Sequence, residues 1–392
     1  MGKPSTSRET ALKEASEFGM IGILGTGTGE GFGSGHGRLG GAHQQDAPVA
    51  VRTGEWDDNA SLAEFRRVLA NSQSLPIEPL DVSVRRTLVA RDSAGKPLAG
   101  CPIMISDGQG STITLRTRSS GRALLFPKAE RLAGTLTATL RCGGNSASAS
   151  IDTRADDGTV RLDGREPRDP PTSTIDVAFA LDTTGSMSEE ITALRSTLQA
   201  VAARAVDVRV GLVEYKDRVD EFTTRVYPMT RSIPALSEKI SLIAASGGGD
   251  YPEAMNVGLH DAITKLEWND SAPARLLFVI GDAPPHPLDH DPSYADSARL
   301  AAHQGIQIFS VAASGMDEFG QIVFRQIAQY TGGTELFVLR GGAGPESTGG
   351  GDPIKSSGGT QTQYRSGNLD ALVLEKIARA RKALEQDPLT NP

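Results

Sequence analysis

Cysteine is nearly absent from this chain: two stand among 392 residues, enough for one intrachain disulfide at most. Cys101 and Cys142 fall in the same β-rich segment. Two states fit them, a disulfide made in an oxidising compartment or two buried free thiols. Positive charge is also in short supply. The formal net charge is -8 and no basic block occurs, which excludes the electrostatic footprint of a nucleic-acid binder. No apolar run is long enough to cross a bilayer. The apolar stretch at residues 20–24 is too short for the core of a signal peptide. No Gly-x-Ser-x-Gly elbow is present, which argues against a Ser-His-Asp hydrolase.

What is present reads as a soluble, multidomain globular chain, with 38% hydrophobic and 22% charged residues. Glycine is plentiful, at 44 residues, and unevenly placed. Residues 1–50 hold a short helical pattern and then a Gly/Ser/His tract, and read as a flexible region. Gly35, Gly37 and Gly40 have the spacing of a dinucleotide fingerprint. The strand and helix that give that motif its mechanism are missing around them. Residues 51–80 read as a short helical segment (Leu62, Phe65, Leu69), with Asp58 or Asn59 as its N-cap. Residues 81–165 alternate short apolar runs with Gly/Asp/Ser turns, the pattern of an antiparallel, all-β sandwich. Residues 166–173 form a stiff Pro-rich linker. Residues 174–385 alternate strand and helix, predicting an α/β doubly wound, Rossmann-like sheet with helices on both faces. The strand near residues 222–227 follows its predecessor closely and is expected to be an antiparallel edge. Residues 340–366 are a Gly-rich loop before the last helix.

The chemistry concentrates in Ile-Asp-Val-Ala-Phe-Ala-Leu-Asp-Thr-Thr-Gly-Ser-Met, residues 175–187. An apolar run of the length of a doubly buried strand stops at Asp182, and a helical pattern starts at Glu189. Asp182, Thr184 and Ser186 thus sit where open α/β sheets bind ligands, at the carboxyl end of a strand. One carboxylate and two hydroxyls at alternating positions suit a hard cation, Mg²⁺ or Mn²⁺.

This Asp-x-Thr-Gly-Ser-Met stretch resembles the first loop of a von Willebrand factor type A (vWA) domain. It is the variant of the metal-ion-dependent adhesion site (MIDAS) in which Thr replaces the first Ser. The resemblance spans residues 173–384. It implies a third loop with an Asp after a buried strand, and Asp282 follows Leu-Leu-Phe-Val-Ile-Gly. It also implies a second loop with a Thr after glycines. Here that loop reads Ser-Gly-Gly-Gly-Asp-Tyr-Pro-Glu-Ala and has no Thr. It is similar to the version in some vWA domains, such as those of the hemicentins. Asp250 then becomes the candidate ligand, directly or through water, or else caps a helix. Met187, Tyr251 and His286 are placed on the ligand rim. The pair His286 and His290 fits either a zinc-type spacing or a proline-stiffened, solvated rim.

The resemblance implies a non-enzymatic protein-binding or adhesion module. Its cation would receive an acidic side chain from a partner protein, with no catalytic residue needed. A metal-dependent phosphatase is the alternative from another class, since it too starts with an Asp after a first strand. That chemistry needs a second acid two positions on, and position 184 is Thr. A regulatory vWA subunit of an ATPase machine is a third reading. Residues 89–100 resemble the early hairpin of Ig-like or prealbumin-like modules of bacterial exported proteins. With the cysteine pair and the tether-like N-terminus, this implies an extracytoplasmic setting, in the cell envelope or secreted.

Overall fold

A computed structural model describes residues 52–170, 172–249, 251–287, 292–313, 316–338 and 365–389. All of them lie in one compact unit, residues 47–392. Strand β1 (Arg52–Trp56) and helix α1 (Leu62–Asn71) come first. Seven short strands follow: β2 (Arg86–Arg91), β3 (Pro102–Ser106), β4 (Thr112–Arg116), β5 (Arg122–Leu125), β6 (Thr135–Cys142), β7 (Asn145–Asp152) and β8 (Gly158–Asp163). The α/β part then runs β9 (Ile175–Asp182), α2 (Ser188–Arg204), β10 (Val208–Tyr215), β11 (Thr224–Thr230), α3 (Ile233–Ser241) and α4 (Met255–Thr264). It continues with β12 (Arg275–Gly281), α5 (Tyr294–Gln304), β13 (Ile306–Ala312), α6 (Glu318–Thr331), β14 (Glu335–Val338), β15 (Arg365–Asn368) and α7 (Leu369–Ala383).

The large sheet has the order β11-β10-β9-β12-β13-β14-β1-β15. Strands β10, β9, β12, β13 and β14 are parallel to one another. β11 is an antiparallel edge against β10, as its short connection predicts. β9 and β12 are buried at every residue, which is why each reads as an unbroken apolar run rather than an alternating one. Side chains alternate across them. Val177, Phe179 and Leu181 point into a core shared with α2, α3 and α7. There Phe179, Phe278 and Phe309 stack in a row, with centroids 5.4 and 5.1 Å apart. Ala178 and Ala180 point to the opposite core, where their small side chains leave room for Tyr215, Leu259 and Tyr294. The chain leaves β9 toward β10 on one side, while β12 flanks it on the other. A crevice therefore opens at the carboxyl ends of β9 and β12.

Two expectations for residues 51–80 need correction. The segment is more than a helix: β1 inserts into the large sheet, antiparallel to both β14 and β15. Its sequence, Arg-Thr-Gly-Glu-Trp, has too little apolar character to announce a buried strand. Gly54 is required there, because a Cβ would stand 2.3 Å from Phe337 Cζ. Asp58 is no N-cap either. Helix α1 starts at Leu62 with Ser61 at the cap position, while the buried Asp58 carboxylate takes both arms of Arg325, at 2.8 and 2.6 Å. Asp57 caps the turn instead, accepting from the backbone of Asn59 and Ala60. Beside this pair lies Glu335, whose two carboxyl oxygens have no hydrogen-bond partner. Burial pushes its pKa well up, against the pull of Arg325, with the charge of Asp58 adding to the rise.

The seven short strands form two sheets, β5-β2-β8 and β4-β3-β6-β7, closed on one apolar core. Leu88, Ala90 and Leu125 face Ile103, Leu136 and Leu140 across it. Cys101 and Cys142 form a disulfide inside this core, with Cα atoms 5.4 Å apart. The β-rich part packs on the α/β part. Phe126 stacks on Tyr330 at 5.0 Å, and Glu130 bonds Tyr330 Oη at 2.5 Å and His303 Nε2 at 3.0 Å. The Pro-rich stretch is tied down too. Glu166 N donates to Asn145 Oδ1 and Arg168 N to Asp92 Oδ2, each at 2.9 Å.

Arg325→Met should destabilise the protein by about 3–5 kcal/mol, because it strands two buried carboxyls without a cation. Urea unfolding followed by far-UV circular dichroism reads this directly. The disulfide closes a loop of 41 residues. Its removal by Cys101→Ser with Cys142→Ser should cost roughly 4 kcal/mol in the same assay.

Candidate functional site

Three residues at the end of β9 and in the turn after it, Asp182, Thr184 and Ser186, put oxygen atoms into the crevice. Thr184 N and Thr184 Oγ1 both donate to Asp182 Oδ1, at 2.9 and 2.7 Å. Thr184 Oγ1 and Ser186 Oγ are 3.1 Å apart, and Ser186 Oγ donates to Asp282 Oδ1 at 3.1 Å. Asp182, Thr184, Ser186 and Asp282 thus form one linked set, spanning from the end of β9 to the end of β12. Asp182 Oδ2 is buried in this set and has no hydrogen-bond partner. The turn is held from outside: Gly185 N donates to Gly247 O at 2.9 Å, and Ser246 N to Thr183 O at 3.1 Å. Gly281 allows Tyr215 and Asp182 to close in, since a Cβ there would meet Tyr215 Oη at 2.3 Å.

The electrostatics are those of crowded carboxyls. Burial, and then the charges of Asp282 and Asp220, push Asp182 up to about 7, although the Thr184 hydrogen bonds oppose the shift. Burial also raises Asp282, against the hydrogen bond from Ser186.

A second group of acids backs the first. Glu253 is buried at 3% exposure, and its Oε2 has no hydrogen-bond partner. Its backbone pairs with the loop after β12, with Glu253 N donating to Pro284 O at 3.0 Å. Gly248, at φ +76°, lies between this carboxyl and the first group. A Cβ on it would sit 2.9 Å from Glu253 Oε1 and 3.1 Å from Thr184 Cβ. Burial pushes Glu253 up to about 9, helped by the charges of Asp182, Asp217, Asp220 and Asp282. Asp220 accepts from Gly248 N and from Asp217 N, which folds the second loop over the crevice. His286 Nε2 lies 2.7 Å from Asp217 Oδ1.

Of the residues singled out in the sequence, the structure brings Asp182, Thr184, Ser186 and Asp282 together. Asp250 and His290 lie outside the described residues. Tyr251 is 44% exposed, and its hydroxyl accepts from Asp317 N at 2.6 Å. His286 is half-buried against Asp217 rather than solvated. Met187 requires a correction. It is fully buried in the core under α2 and so lines no rim, because the 3-10 turn at Gly185–Met187 rotates it inward. Glu253, Asp217 and Asp220 escaped the sequence reading. The available signal was the acid three residues past Asp250 in the same glycine-rich loop.

Among the described residues, no three or more His, Cys, Asp or Glu side chains are grouped as a metal cage. The donor set is two carboxylates and two hydroxyls. That hard-oxygen chemistry fits Mg²⁺ or Mn²⁺, and the unpartnered Asp182 Oδ2 is the atom a cation would satisfy.

Residues 176–339 match the family model described as von Willebrand factor A domain. This segment is a vWA domain. A curated protein of Acanthamoeba polyphaga mimivirus, described as an ariadne-like RING finger protein, is 28% identical over 117 residues. That match takes in 29% of this chain and 11% of the relative, so the chain spans about a tenth of its length. Among solved structures, BatB from Bacteroides thetaiotaomicron is similar at 14% identity and a TM-score of 0.36, covering 53% of this chain and 98% of that one. The pilus adhesin SpaC from Lactobacillus rhamnosus GG is similar at 12% identity and a TM-score of 0.36, covering 64% of this chain and 33% of its own. No helix among the described residues is long and apolar enough to cross a membrane.

The raised Glu253 carboxyl has a definite pH consequence for the vWA domain. A carboxyl whose pKa is 4.5 unfolded and about 9 folded leaves stability intact below pH 4.5 and removes it as pH rises toward 9. In EDTA, Glu253→Gln should therefore match the wild-type melting temperature near pH 4.5 and exceed it increasingly up to pH 9. Differential scanning calorimetry across that range checks both the sign and the window.

Proposed function

We propose that the vWA domain is a non-enzymatic protein-binding module that holds Mg²⁺ or Mn²⁺ and receives an acidic side chain from a partner protein. The observation that carries this reading is Asp182 Oδ2, a buried carboxylate oxygen with no donor, inside a linked set of oxygen ligands. Asp182, Thr184, Ser186 and Asp282 would hold the ion, joined by Asp250 directly or through water. When bound, the cation supplies positive charge and a position for a carboxylate from outside. Thr184 and Ser186 are neutral, so this set cancels less of that charge than an all-carboxylate cage would. Ser186 and Thr184 bridge the two carboxyls and keep them aimed at one point.

The same contacts speak against hydrolysis. Thr184 stands where a phosphatase of the alternative class needs an acid, and its hydroxyl is committed to Asp182. Among the described residues, Ser186 Oγ has carboxylate and hydroxyl partners but no imidazole to activate it, since His286 is engaged by Asp217. The Cys101–Cys142 disulfide supports an oxidising, extracytoplasmic setting for the binding event.

Calorimetric titration of Mg²⁺ and Mn²⁺ into the full chain tests the reading, beside Asp182→Ala and Ser186→Ala. One saturable site is expected in the wild type, lost in Asp182→Ala and weakened about tenfold or more in Ser186→Ala. Absence of binding in all three, with native circular dichroism, would overturn it.

A further inference from the structure

A cavity of about 840 Å³ lies away from the vWA crevice, between the β-rich part and α7. Its chemistry is lopsided. Strands β2 and β5 turn Leu88, Ala90 and Leu125 into their own core. The alternate residues Thr87 and Leu124, with Arg85 and Arg122, line the cavity from the other face. Arg118 joins them from the turn before β5, where Arg118 N donates to Arg122 O at 2.8 Å. Helix α7 adds Lys376, Arg379 and Lys382 along its facing side.

Lys376 and Arg379 already have acidic partners, Glu55 and Glu375. Arg85, Arg118 and Arg122 have none: among the described residues, no carboxylate lies within ion-pair distance of their side chains. Each is anchored by a backbone carbonyl instead. Arg85 Nη1 donates to Asn59 O at 3.0 Å, Arg118 Nη1 to Gly332 O at 2.8 Å, and Arg122 Nε to Pro388 O at 3.0 Å. These bonds fix the planar forks and leave further N–H groups without an acceptor. Gly332, at φ +75°, makes room for one of them, since a Cβ there would fall 1.6 Å from Arg118 Nη1. Burial, and then the neighbouring charge of Arg122, push Arg118 down to about 10. Burial and then Arg85 lower Arg122 in the same direction. A guanidinium stays charged at such values, and the charge of Asp57, which also lines the cavity beyond ion-pair distance, offsets the fall at Arg118 only in part.

We propose that this cavity is a binding site for a phosphate-bearing small anion, held by Arg85, Arg118 and Arg122. Three fixed guanidinium forks match the several oxygens of a phosphate group better than a single carboxylate. The volume admits a ligand larger than the bare ion. Thr87, Ser119 and Gln307 in the lining supply neutral polar groups for the remainder. The site is independent of the cation-binding reading and shares no residue with it.

The test uses inorganic pyrophosphate titrated into the full chain in EDTA at low ionic strength, read by calorimetry and by thermal shift. Saturable binding that weakens with added salt is expected in the wild type. Arg85→Gln and Arg122→Gln should each weaken it about tenfold or more, and Asp182→Ala should leave it unchanged. Arg85 bonds only one carbonyl, so Arg85→Gln carries the test if the Arg122 variant fails to fold. No saturable binding in the wild type would overturn the proposal. So would undiminished binding in a natively folded Arg85→Gln protein.

Discussion

A carboxylate is buried at the end of the central strand with one oxygen unanswered, and the rest of the α/β part is arranged around that fact. Asp182 closes β9, which is flanked on both sides and covered on both faces, so water cannot solvate its Oδ2. Its other oxygen is saturated by Thr184. The cost of holding such a group is met in part by protonation, which is why its pKa rises to about 7. Asp282 and Glu253 bear the same cost beside it. Crowding of this kind is unfavourable, and the proposed cation would relieve it. The fold keeps the acids in place through backbone bonds from Gly185, Ser246 and Glu253.

The parts of this arrangement that were legible in sequence follow directly from burial. Strands covered on both faces must be apolar throughout, so β9 and β12 stand out, and the first polar residues after them mark the crevice. Asp182, Thr184, Ser186 and Asp282 could all be read in this way. Glu253 left only a faint signal, three residues past Asp250, because it belongs to a loop whose path is set by tertiary bonds to Pro284 and Lys216 rather than by a periodic pattern. Asp217 and Asp220 are hidden for the same reason. Met187 misled because polar neighbours on either side suggested exposure, whereas a single 3-10 turn rotates it into the core. β1 was invisible because Gly54 and Glu55 carry no apolar signal; their burial is decided by Phe337 and Lys376, which are far away in sequence.

The β-rich part was readable as strands but not as a neighbour. Alternation along β2 and β5 shows which residues enter their own core, and leaves the opposite face reading as ordinary solvated arginine. In the folded chain that face is turned toward α7, and Arg116, Arg118 and Arg122 reach backbone or carboxylate groups beyond residue 260. The excess of negative charge over the whole sequence conceals this. Acids gather at the vWA crevice and bases at the junction, and a net charge averages the two away.

The position of β1 gives the polypeptide a threaded topology. The chain supplies one strand to the large sheet, leaves to build the β-rich part, and only then returns to complete the sheet around the strand already laid down. The segment that matches the vWA family excludes both β1 and β15. Cutting at the Pro-rich stretch would therefore not release two finished bodies. The α/β fragment would retain β14 with one bare edge and β15 with no partner, and such open edges recruit strands from other molecules. The seam that looks most natural in the sequence is one along which the molecule would become self-adhesive.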